Sequence, residues 1–128
     1  MADRLITGVC GTSGLALTAH GPVRLYITGS LQRPVVRATG GEDSKVIGFS
    51  KRGVATAGIA AGILAGYFDE DLVNVSTTVA VGQKLKVKDR ATLAPVGTTA
   101  GLRFVAIATK ARTNAGSTWV AFVPQGIV

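Results

Sequence analysis

The chain states one pattern twice. Gly21-Pro22-Val23-Arg24-Leu25-Tyr26-Ile27 leads through Arg33-Pro34-Val35 to Lys45-Val46-Ile47-Gly48-Phe49-Ser50-Lys51, then Thr56-Ala57-Gly58 and Ile63-Leu64-Ala65. Later, Gly82-Gln83-Lys84-Leu85-Lys86-Val87 leads through Ala94-Pro95-Val96 to Arg103-Phe104-Val105-Ala106-Ile107-Ala108-Thr109-Lys110, then Asn114-Ala115-Gly116 and Trp119-Val120-Ala121. The register between the copies drifts by a few residues. An echo of this kind marks a structural unit used twice to close a core, and neither copy contains a catalytic signature.

The period within each copy is two. Val23, Leu25 and Ile27 alternate with Arg24, Tyr26 and Thr28, and Val73, Val75, Thr77, Val79 and Val81 alternate with more polar or smaller residues. Alternation over such lengths indicates half-buried strands, and β-branched side chains favour them. Turn signals at Gly11-Thr12-Ser13-Gly14, Gly40-Gly41-Glu42-Asp43, Lys88-Asp89-Arg90 and Asn114-Ala115-Gly116-Ser117 separate the runs. The expectation is an all-β fold, a single compact β-barrel or sandwich over residues 21–128 with an internal pseudo-repeat. Pro34 and Pro95 belong at strand starts, bulges or edges, because proline donates nothing to a ladder. Helix is credible only between Val54 and Leu72, where Gly58, Gly62 and Gly66 each weaken it by about 1 kcal/mol relative to alanine. Residues 1–20 stand outside the echo, as an N-terminal hairpin of the core or as an extended arm that adds a strand to a neighbour.

Composition narrows the class. Apolar residues make up 47% of the 128 and charged residues 16%, which argues against disorder. The single cysteine, Cys10, leaves no intramolecular disulfide and suits a small buried side chain. Met1-Ala2-Asp3-Arg4 does not open a signal peptide. The longest apolar stretch, Val54 to Phe68, is shorter than the roughly 20 residues a membrane helix needs, so no membrane partner is expected.

The formal charge is +7. Basic residues are scattered except at Lys84, Lys86, Lys88 and Arg90, which share one strand face opposite Leu85 and Val87. Such a face can be solvated, can guard a sheet edge, or can meet an acidic partner. Aromatic residues are only 5%, too few for a base-stacking platform, so direct nucleic-acid binding is not the leading expectation.

The inventory for chemistry is thin. His20 is the only histidine, which removes nearly every His-based zinc site and leaves a triad resting on one residue, and no cysteine pair exists. Asp69-Glu70-Asp71 is the one acidic cluster, and Leu72-Val73 after it supply no further oxygen ligands; it reads as a solvated acidic turn. Gly8-Val9-Cys10-Gly11-Thr12-Ser13-Gly14 lacks the Gly-Lys-Ser/Thr ending of a phosphate loop. Trp119 suits a core or subunit-interface anchor. The expectation is no enzyme, with no catalytic residue, metal or cofactor.

The segments Arg33-Pro34-Val35-Val36-Arg37-Ala38-Thr39-Gly40, Lys45-Val46-Ile47-Gly48-Phe49-Ser50, Val81-Gly82-Gln83-Lys84-Leu85-Lys86-Val87, Phe104-Val105-Ala106-Ile107-Ala108-Thr109 and Trp119-Val120-Ala121-Phe122-Val123 resemble the small head-decoration, or capsid-cement, proteins of tailed bacteriophages. The likeness spans about residues 21 to 124, and its motifs are patterns rather than signature residues. It implies a virion protein on the outer surface of an icosahedral head, with the major capsid protein as partner, clamping capsid subunits. Self-association as a trimer or dimer would follow closed symmetry. Arg4, Leu5, Ile6 and Val9 of the N-terminal segment, with Lys84, Lys86, Lys88 and Arg90, are the candidate partner-binding residues. The alternative is a small basic β-barrel that binds nucleic acid, supported by charge alone.

Overall fold

The computed structural model describes residues 5–26, 31–89 and 91–128, and over these the chain is all-β. The first half carries β1 (Leu5–Cys10), β2 (Pro22–Leu25), β3 (Pro34–Arg37), β4 (Val46–Ser50) and β5 (Ala60–Leu64). The second carries β6 (Glu70–Val75), β7 (Lys84–Val87), β8 (Thr92–Pro95), β9 (Arg103–Ala108) and the long β10 (Gly116–Ile127). Short 3-10 turns at Ser13–Leu15 and Asp43–Lys45 complete the regular structure. Each half closes into its own barrel, in the orders β1-β3-β2-β4-β5 and β10-β6-β8-β7-β9.

The halves are one topology used twice. In each, the first strand runs parallel to the third and antiparallel to the fifth. The second strand lies antiparallel between the third and fourth. Even the isolated bridges correspond, Leu17 to Val54 in one half and Val79 to Arg112 in the other. The echo in the sequence is therefore a real duplication. The single barrel or sandwich expected from it resolves into two barrels, because each copy has strands enough to close on itself and leave no long edge.

Leu5–Cys10, read as an arm or hairpin beyond the echo, supplies β1, and the repeat begins there. β1 pairs with β5 from Leu5 to Val9 and with β3 at Val9 and Cys10. The stretch that could have been helical contains β5 instead; its alternating Ala61 and Ile63 face the first core while Gly62 faces outward beneath Leu5.

One core cluster crosses the boundary between the barrels. The second barrel's interior, built from Val73, Val75, Leu85, Val87, Leu93, Val105, Val120 and Phe122, continues into Ala38, Val46, Phe49 and Leu64 of the first. Phe49 and Phe122 meet edge to face with ring centres 5.4 Å apart. Polar groups are satisfied across the same boundary. The Val87 N–H donates to the buried Asp43 carboxylate at 2.6 Å, and the Gln125 side-chain amide donates to the Ser44 carbonyl at 2.5 Å. Gly40 fits because a Cβ there would stand 2.7 Å from the Lys88 carbonyl oxygen. The first barrel's remaining core is a smaller cluster of Cys10, Leu17, Val23, Val35, Val54, Ala61 and Ile63. Cys10 is fully buried, as a small apolar side chain should be.

Candidate partner-binding surfaces

The lysine face forms as its alternation requires. On β7, Leu85 and Val87 are buried while Lys86 is exposed, and Lys88 is exposed just beyond the strand. Lys84 is half-buried with its amine 5.2 Å from the centre of the Phe104 ring, a cation–π contact that ties it to its own barrel. Lys86 and Lys88 instead border a groove of about 510 Å³ between the barrels, with Gly40, Asp43, Leu102 and Arg103 around it. Arg90 lies outside the described residues. Next to it, Asp89 accepts hydrogen bonds from the Ala91 and Thr92 N–H groups and the Thr92 hydroxyl, closing the β7–β8 turn. The Thr92 hydroxyl bond is the main reason the Asp89 carboxyl sits below its ordinary pKa.

The N-terminal candidates divide. Arg4 lies outside the described residues. Leu5 and Ile6 are exposed, on opposite faces of β1. Leu5 leans over Gly62, and Ile6 points to the same side as buried Cys10 but at the barrel's end. Val9 is half-buried within the ladder to β3, a barrel position more than a contact surface. The β1 and β7 candidates belong to different barrels, and no strand pairing joins them.

Sequence patterning missed the surface beside Ile6. Ile6, Leu25, Arg33, Val35 and Ile47 line a predominantly apolar cavity of about 330 Å³ at the end of the first barrel. Leu25 follows the alternation that buries Val23 and faces the same way, yet it is exposed because the barrel ends there. Two further apolar features reach the surface. Tyr67 and Phe68 stack with ring centres 4.4 Å apart, and Trp119 stands opposite Leu72 on the outer face of β6 and β10. Trp119 is thus no core anchor, because it occupies the outward phase between buried Thr118 and Val120.

The acidic cluster also differs from its expected form. Only Glu70 is exposed; Asp69 and Asp71 are buried. Asp71 Oδ1 lies 3.0 Å from His20 Nδ1 and 3.2 Å from Lys51 Nζ, and accepts the Leu72 N–H. His20 and Lys51 come from the first barrel and Asp71 from the second, so the arrangement is a clamp across their junction. His20 itself has a φ of 59°, and its N–H donates to the Ser50 carbonyl. The Ser50 hydroxyl is turned to the Arg52 carbonyl, which directs it away from a nucleophile's task beside that histidine. Among the described residues, no cluster of metal-binding side chains forms, and no helix is long and apolar enough to cross a membrane.

No protein-family model and no curated protein sequence matches this chain. A solved structure does. The fold is similar to that of the N base of the head fiber gp8.5 of bacteriophage phi29, with a TM-score of 0.68 and 10% sequence identity. The likeness covers 98% of this chain and 99% of that one, so what the two share is the complete two-barrel fold.

Proposed function

We propose that this protein is a structural component of a phage virion, attached to the outer surface of the head. The observation that carries the reading is the end-to-end likeness of fold to a head fiber base. A rigid pair of barrels that spends its only histidine and a buried aspartate on joining its halves suits attachment rather than catalysis. The finer role is to clamp neighbouring subunits of the major capsid protein and so to stabilise the shell, as a trimer or dimer whose symmetry multiplies modest contacts. Lys86 and Lys88 would steer the protein onto acidic shell loops, and exposed Leu5 and Ile6 would add apolar contact.

Mixing the purified protein with heads that lack it, then sedimenting them, tests attachment. Co-sedimentation that saturates is the expected result; protein left in the supernatant at every concentration overturns the reading. A second reading, a small nucleic-acid-binding module, draws on the groove bordered by Lys86, Lys88 and Arg103. It requires binding to duplex or single-stranded DNA at low salt that falls steeply as salt rises. A gel shift without a complex at low salt removes it.

A further inference from the structure

The duplication makes each barrel a control for the other. Strand registers fix the correspondence: Cys10 beside Val35 answers to Val75 beside Leu93, and Leu25 opposite Val35 answers to Val87 opposite Leu93. Along the first strand of each barrel, Ile6 then occupies the place of Asp71. Along the fourth, Ile47 occupies the place of Val105. In the second barrel this end is shut, with Asp71 and Val87 each 2% exposed. Among the described residues the same end of the first barrel is open, with Ile6 and Leu25 each 49% exposed around the apolar cavity.

What shuts the second barrel is visible. The first barrel brings Phe49 against Phe122, adds Val46 and Leu64 to the same cluster, and sets the Asp43 carboxylate on the Val87 N–H. The first barrel also sets His20 and Lys51 on Asp71, an ionic contact with no counterpart where Ile6 stands in that place. What remains as the complement of the open end is an aromatic or branched apolar side chain with a carboxylate beside it. At the open end, Leu25 stands where Val87 does, and Arg33 lines the cavity and is exposed. A cation there favours an acidic neighbour.

We propose that the open end of the first barrel is a socket for a segment of the shell protein that presents a Phe or Leu side chain next to an Asp or Glu. The proposal rests on the attachment reading and names the surface through which attachment occurs. A second copy of this chain is a poor occupant. The face of the second barrel that corresponds to the closing face of the first has Ile107 in place of Phe49 and Ala121 in place of Leu64. Both replacements are smaller, so that face of a second copy offers less apolar bulk to fill the cavity.

Heads lacking the protein serve as the probe. Wild type, the double variant I6D/L25D, R33E and the control L72D are titrated onto them by sedimentation. Ile6, Leu25 and Arg33 are exposed enough for these changes to leave the fold intact, which near-identical far-UV spectra and melting curves verify. The expected result is a loss of about tenfold or more in affinity for I6D/L25D, a severalfold loss for R33E, and wild-type binding for L72D. If wild type binds and both socket variants bind equally well, the socket is refuted while attachment stands. Equal losses from L72D overturn it too, since the effect would not belong to the socket. Should I6D/L25D instead dissolve an oligomer of the free protein in analytical ultracentrifugation, the occupant is a second copy and the proposal is wrong. Wild type that never binds heads removes the attachment reading and this inference with it.

Discussion

Asp43, like Asp71, is a buried carboxylate that joins the barrels. Its carboxylate is buried and bonded to the Val87 N–H, a strand-edge donor that β9 does not satisfy because β9 pairs with β7 only at Ile107 and Ala106. Replacing it by alanine leaves that N–H buried without a partner, at a cost of about 1–3 kcal/mol. Urea titration of Asp43→Ala should show a lower midpoint at unchanged slope, while Asp43→Asn, which keeps an acceptor oxygen, should lose less. Equal stability of the alanine variant and wild type would contradict this role. Asp89 makes a second residue-scale prediction, through pH. Its folded pKa is depressed, first by the Thr92 hydroxyl, so the carboxylate's contribution to the β7–β8 turn is complete above the ordinary aspartate range. It is lost only as pH falls below that range, through the depressed folded value. The Ala91 and Thr92 amide signals in NMR should titrate together in that acidic window and should not move with pH in Asp89→Asn. His20 and Asp71 show how far single residues were legible. Both were singled out as scarce chemistry, but their meeting depends on how two barrels pack, which no local pattern encodes.

At the scale of strands, much was legible where alternation and turns agree. β2, β4, β7, β9 and β10 fall where the echo places them, and the buried phase on β6 and β7 is the predicted one. The echo's weakest link was its pair of prolines. Val23 lies opposite Arg37 and Leu85 opposite Pro95, so Pro95 corresponds to Arg37; Pro34 opens β3, whereas Pro95 ends β8. Both positions suit proline for the reason expected, yet they are not counterparts. β1 and β6 were invisible as a pair because their surroundings differ. Ile6 faces an open barrel end and Asp71 faces the other barrel, so Leu5-Ile6-Thr7-Gly8 and Glu70-Asp71-Leu72-Val73 share no pattern. The same contrast yields a prediction at Gly48. It corresponds to Ala106 of the second barrel, since Val23 lies opposite Gly48 and Leu85 opposite Ala106. A Cβ on Gly48 would run into the Leu64 backbone carbonyl, a neighbour that cannot move without shifting β5. Gly48→Ala should destabilise by about 1–3 kcal/mol through overpacking. Ala106→Gly should cost less, about 1 kcal/mol from backbone freedom and lost contact. If the two substitutions cost the same in denaturant titrations, β4 and β5 do not approach as closely as described.

Duplicated barrels could in principle be independent beads, each folding alone, and here the packing argues otherwise. The first barrel keeps a small cluster of its own, while its Ala38, Val46, Phe49 and Leu64 are committed to the core of the second. The second barrel in turn depends on those residues to shut the end that the first barrel leaves open on itself. Neither half has a complete core without the junction, so the chain should unfold in one cooperative transition, with calorimetric and van't Hoff enthalpies equal. Phe49 is the residue through which this coupling can be tested, because it is fully buried and its ring reaches Phe122 across the boundary. Phe49→Ala should lower stability by about 3–5 kcal/mol, the cost of a large buried ring and the cavity it leaves. That penalty belongs to both barrels, so near-UV signals from Trp119 in the second and backbone signals from both should shift to the lower midpoint together. Two resolved transitions in the wild type, or a Phe49→Ala variant in which Trp119 reports an unchanged midpoint, would show that the barrels are joined without being coupled.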